Sequence, residues 1–171
     1  FGFSLCGCGG FICGSHELVE FLKYGSSGFV YSVGIPPVIA QACLTALNIL
    51  KREPERVHKL QHISQYFLHY AQSKGLDTGA AQGYAVIPVI IGNSWVTGFL
   101  SQALFKRGIY VMPISFPAVK EGTARLRFFI SAAHTEEHVQ KALDAVVEEI
   151  PHAEELVNRY QEEHPNVFTN L

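Results

Sequence analysis

A chain of 171 residues with 48% hydrophobic and 16% charged residues has the composition of a buried globular core, which excludes a disordered or fibrous protein. Its formal net charge of −2 offers no electrostatic reason to expect nucleic acid or an anionic membrane as partner. No apolar run reaches the roughly 18 residues that span a bilayer, so no membrane span is expected.

The first residues, FGFSLCGCGGFICG, are apolar without a basic flank, and their glycines make a poor signal-peptide core. They read as a stretch from the inside of a larger protein. Cys6, Cys8, Cys13 and Cys43 lack paired CxxC knuckles, so buried free thiols in a reducing compartment are expected and a metal is not. Gly10–Gly14 is a short apolar run between glycines and reads as a buried strand. Ser15 can cap a helix over His16–Lys23, whose Leu18, Val19, Phe21 and Leu22 form one apolar face. A loop at Gly25–Gly28 leads to a brief extended piece, Phe29–Ser32. Pro36-Pro37 opens a long helix to about Lys51, because proline suits a first turn. Glu53-Pro54 breaks it, and a further helix, Glu55–Lys74, ends at Gly75.

From Ala85 the pattern changes. Ala85–Ile91 is a β-branched strand interrupted by Pro88, hence at a sheet edge or bulged. A helix over Trp95–Arg107 is closed by Gly108. Ile109–Met112 and Arg125–Ser131 read as strands. Thr135 caps two last helices, about Glu136–Glu149 and Ala153–Glu162. His138 occupies the position where a capping box needs Glu or Gln, so no box is expected. This order predicts a small α/β sandwich with a mainly antiparallel sheet, which the helix through residue 50 joins to something larger.

Four stretches then act together. Gly9-Gly-Phe-Ile-Cys-Gly-Ser15 is similar to a GG-[YF]-[IV]-x-G strand, and Phe29-Val-Tyr-Ser-Val-Gly-Ile-Pro-Pro37 to an F-[IV]-[FY]-[ST]-x-x-x-P-P loop. Arg107-Gly-Ile-Tyr-Val-Met-Pro113 matches an [RK]-G-[IV] strand. Gly122-Thr-Ala-Arg-Leu-Arg127 with Ser131-Ala-Ala-His-Thr135 matches G-x-A-R-[LI]-R…[ST]-A-x-H-[TS]. In this order the chain resembles the α-oxoamine synthases, which include 8-amino-7-oxononanoate synthase, 2-amino-3-ketobutyrate CoA ligase and serine palmitoyltransferase. The resemblance implies an α/β fold: the C-terminal part of a pyridoxal 5'-phosphate (PLP)-dependent, aminotransferase-like (fold type I) protein. Residues 1–50 would be the end of the large PLP-binding domain and a connecting helix, and 51–171 the small α/β domain.

It also implies the chemistry: decarboxylative condensation of an amino acid with an acyl thioester, carried on coenzyme A or an acyl-carrier protein, by a cytoplasmic homodimer. By motif position Arg127 binds the substrate carboxylate, a task suited to a planar, permanently charged fork. Alternation alone does not separate Arg127 from Arg125, which shares its side of the strand. Ser32 falls where the family places a hydroxyl on the PLP phosphate of the neighbouring subunit; its local reading is a backbone cap. Val33 stands where a second hydroxyl is frequent.

The family's PLP lysine has no counterpart. Phe3 falls at or near its position, and Lys23 lies on the next helix, so no catalytic residue is assigned. Three explanations stay open: part of an ordinary synthase, a lysine-less non-catalytic subunit serving dimerisation or regulation, or an isolated small domain with a binding role. His58, His62 and His69 read as a solvated helix face, and His134-Thr-Glu-Glu-His138 as a helix start with acids in its first turn, so no metal site is expected.

Overall fold

The structure is a computed structural model that describes residues 2, 5 and 7–164. The chain forms two compact units, residues 1–54 and 55–171.

The first unit holds α1 (His16–Gly25), α2 (Ser27–Val30) and α3 (Pro37–Arg52). Ser15 caps α1 by accepting the Leu18 N–H at 3.4 Å. Pro37 opens α3 at its first position, where a missing N–H costs nothing. Two expectations fail here. Gly10–Gly14 forms no strand and is exposed, with Phe11 at 72%. Phe29–Ser32 is not extended either; it finishes the short helix α2 and a bend. Of the described residues in this unit only Gly7 and Cys43 are buried. Cys8 and Cys13 are free but exposed, which corrects the expectation of buried thiols at those two positions.

The second unit packs α4 (Glu55–Ser73), α5 (Ser94–Lys106) and α6 (Glu136–Glu163) around a sheet of β1 (Val86–Gly92), β2 (Met112–Ile114) and β3 (Ala124–Phe129). The strand order is β1-β3-β2, antiparallel throughout. Phe67, Ile87, Val89, Leu100, Leu126 and Leu143 form the middle of the core, each essentially sealed from water. β1 is an edge strand with a register shift between Ile90 and Gly92, so Pro88 sits where a missing donor is tolerated.

Local chemistry sets the remaining boundaries. α5 is capped by Asn93, whose Oδ1 accepts from the N–H groups of Trp95 (2.8 Å) and Val96 (3.0 Å). At its other end the N–H of Ile109 bonds the Leu104 carbonyl and that of Gly108 bonds Phe105, with Gly108 at φ 79°. That cap takes Ile109, and the Ser101 hydroxyl donates to the Val111 carbonyl at 2.8 Å. β2 therefore starts at Met112, three residues later than its sequence suggests.

The two helices expected after Thr135 are one, with Pro151 inside it. Val139, Leu143, Val146, Ala153 and Val157 recur at spacings of four, three, seven and four and are all buried. The three valines and Leu143 contribute up to about 1.5–3 kcal/mol each when fully buried, which together outweighs the roughly 3 kcal/mol that proline costs in a helix interior. A capping box also forms, contrary to expectation. Thr135 Oγ1 accepts from the His138 N–H and His138 Nδ1 accepts from the Thr135 N–H, both at 3.3 Å. A neutral imidazole nitrogen is an acceptor too, so histidine does what glutamate does elsewhere.

Candidate functional site

Alternation along β3 buries Ala124, Leu126 and Phe128 and turns Arg125, Arg127 and Phe129 to the other face. On that face the register sets Arg127 between Pro88 and Met112, and Arg125 between Ile90 and Ile114.

The two arginines are treated differently. Arg125 is half-buried and its Nε donates to the Thr123 carbonyl at 2.9 Å. Arg127 is exposed, and among the described residues no carboxylate pairs with it; its guanidinium carbon lies 5.1 Å from the centroid of the Phe129 ring. Arg107, by contrast, is bound by Glu148 (2.7 Å) and Glu149 (3.0 Å), and Arg159 by Glu155 (3.1 Å). A planar fork held near a ring, with its donors unspent, is the arrangement that can receive an external carboxylate.

Arg127 borders a cleft of about 600 Å³ between the 108–112 segment, the end of β3 and the start of α6. Phe67 and Phe128 line it, and Tyr110, His134, His138 and Lys141 complete its polar lining with no aspartate or glutamate among them. His134 Nδ1 accepts the Ser131 N–H at 3.1 Å, which requires a neutral ring protonated on Nε2. Burial first, and the nearby His138 second, hold the His134 imidazole below its ordinary value of 6.5.

The sign follows. The unfolded chain takes up this proton first, so the stabilisation from His134 is fully present above pH 6.5 and is lost as pH falls through the lowered folded value. Thermal melts from about pH 7.5 to about pH 5 should show stability decreasing before the carboxylates titrate, with a shallower slope in His134→Gln. Equal slopes in the two proteins would remove His134 from this role.

Ser32 stands in the first unit, on the exposed loop after α2, where its Oγ makes a long bond of 3.4 Å to the Val33 carbonyl. That weak tie leaves a small neutral donor able to turn toward a phosphate, so the residue fits the group its motif position implies. Phe3 lies outside the described residues. His58, His62 and His69 are exposed along α4, with His62 Nε2 3.8 Å from Glu136. Among the described residues no three metal-type side chains come together. Phe129 carried no signal of a role in the sequence beyond its two-residue spacing from Arg127. His134 and His138, which read there as a helix start at four-residue spacing, line the same cleft.

The sheet, its helices and the loops around them define a fold shared with solved PLP-enzyme structures. An 8-amino-7-oxononanoate synthase from Francisella tularensis matches with a TM-score of 0.69 at 23% identity, over 82% of this chain and 41% of that one. A serine palmitoyltransferase from Sphingomonas wittichii matches with a TM-score of 0.69 at 22% identity, over 81% and 35%. The family model for aminotransferase class I and II covers residues 2–146, and the chain belongs to that family. The 8-amino-7-oxononanoate synthase of Symbiobacterium thermophilum is 37% identical over 137 residues, 80% of this chain and 35% of the relative. The 4-hydroxy-2,2'-bipyrrole-5-methanol synthase PigH of Serratia sp. is 33% identical over 144 residues, 84% and 22%. The chain thus spans about a third or less of the length of these curated relatives. Nothing in these comparisons favours a non-catalytic partner. Among the described residues no helix is long and apolar enough to cross a membrane.

Proposed function

We propose that the complete protein is an α-oxoamine synthase: a PLP-dependent acyltransferase that condenses an amino acid with an acyl thioester, with loss of carbon dioxide. The observation that carries this reading is the guanidinium of Arg127, unpaired among the described residues and lining a cleft without aspartate or glutamate. The cofactor, when bound, supplies the electron sink that makes the α-carbon of the amino acid nucleophilic. Arg127 receives the substrate carboxylate on two parallel N–H donors and so fixes the orientation of the α-carbon. Ser32 donates its hydroxyl to the cofactor phosphate, in the neighbouring subunit of a homodimer. No lysine of this chain stands at the motif position, so these residues bind and orient, and the attachment of the cofactor is not among their roles.

In this reading the first unit ends the large domain and the second is the small domain. The free thiols at Cys8, Cys13 and Cys43 support a reducing, cytoplasmic setting. The test is to incubate the complete protein and PLP with glycine, L-alanine or L-serine and a series of acyl-coenzyme A thioesters. Free thiol should appear only when both substrates are present. Failure with every pair, under conditions where the protein is folded and carries PLP, would remove the reading.

A further inference from the structure

Arg127 and Phe129 are two residues apart on an extended strand, so their side chains rise from the same face of β3. The ring centroid is 5.1 Å from the guanidinium carbon, within cation–π range. No hydrogen bond or ion pair holds Arg127 among the described residues, whereas Arg107 and Arg159 are held by carboxylates and Arg125 by a backbone carbonyl. These are different ways of fixing a long, flexible cation. A carboxylate partner would use up the donors that a substrate needs. An aromatic ring engages the face of the guanidinium and leaves its N–H groups, which point outward in the plane, unspent.

We infer that Phe129 is a positioning residue for Arg127: its ring holds the guanidinium over the open face of the sheet with the donor edge free for a carboxylate. The inference rests on the reading of Arg127 as the carboxylate-binding residue. An aliphatic side chain at 129 would fill the same space but has no negative ring face to attract the cation. The fork would then sample more rotamers, and ordering it would be charged against each binding event.

The experiment compares Phe129→Leu, Phe129→Tyr and Arg127→Ala in the complete protein. The probes are glycine, L-alanine and L-serine, each beside its carboxamide. Phe129→Leu should raise the KM and the calorimetric Kd of the carboxylate-bearing probes by about three- to tenfold, leaving kcat within about twofold. The carboxamides, which present no charge to the arginine, should bind both proteins alike. Phe129→Tyr keeps the ring and should restore binding. Should Phe129→Leu lose its fold by circular dichroism, Phe129→Met is read in the same way.

Unchanged carboxylate binding in the aliphatic variants would overturn the proposal. So would equal losses for carboxylate and carboxamide, which mark a merely structural role, or a tyrosine variant as weak as leucine. Arg127→Ala separates the two ideas. If it weakens carboxylate binding and Phe129→Leu does not, only the positioning role falls. If Arg127→Ala also leaves binding unchanged, the reading of Arg127 falls with it.

Discussion

Replacing Arg127 by alanine in the complete protein is expected to lower kcat/KM for the amino acid by about 10²–10⁴-fold, while thermal stability stays close to that of the parent. The size follows from losing two charge-assisted hydrogen bonds, each on the order of 1.5–3 kcal/mol, in a group that makes no internal ion pair among the described residues. Stability should hold because the side chain is exposed and no described carboxylate is left unmatched by its removal. Arg127→Lys should recover only a minor part, since an ammonium offers a point charge instead of a two-pronged planar edge. Arg125→Ala serves as the control on the same strand face; its guanidinium is tied to the Thr123 carbonyl and should affect the amino acid far less. If the two alanine variants lose activity equally, the distinction between the arginines is wrong.

Leu143→Ala should be the most damaging conservative change to the second unit. Leu143 is fully buried at the middle of the α6 stripe, and truncating such a leucine leaves a cavity that costs about 2–5 kcal/mol. For a unit of this size the melting temperature should fall by roughly 10 °C or more. Val147→Ala, one turn further on but 38% exposed, should change stability by less than about 0.5 kcal/mol. Chemical denaturation of the two variants side by side measures the contrast. A Leu143→Ala protein within about 1 kcal/mol of the parent would mean the core does not close around α6 as described.

The elements legible in the sequence were those whose ends carry their own chemistry. Ser15, the Pro36-Pro37 pair and Gly75 each mark a helix end by a backbone requirement that no distant contact alters. Pro88 in a β-branched run pointed to an edge or a bulge for the same kind of reason, and β1 has both. What could not be read depends on partners far along the chain. Gly10–Gly14 has strand composition, but strand structure needs a pairing strand, and among the described residues the one sheet is β1-β3-β2. Two helices were expected, ending at Glu149 and starting at Ala153, and the burial of residues on both sides of Pro151 keeps α6 whole. The candidate site divides in the same way. Motif position pointed to Arg127 and alternation left Arg125 beside it. The reason to treat them differently, a backbone bond on one and a ring beneath the other, is a matter of contacts.

The middle place of β3 has a consequence for motion. Among the described residues β1 and β2 each pair with a strand on one side only, and local opening of a sheet begins at such outer strands and at loops. A strand bonded on both sides opens last, so its amides should exchange near the rate of global unfolding. The backbone that carries Arg127 is therefore among the slowest parts of the unit to move. Any adjustment to substrates of different size would fall to the 115–123 loop and to the segment before β2, where sequence can drift without displacing the cation.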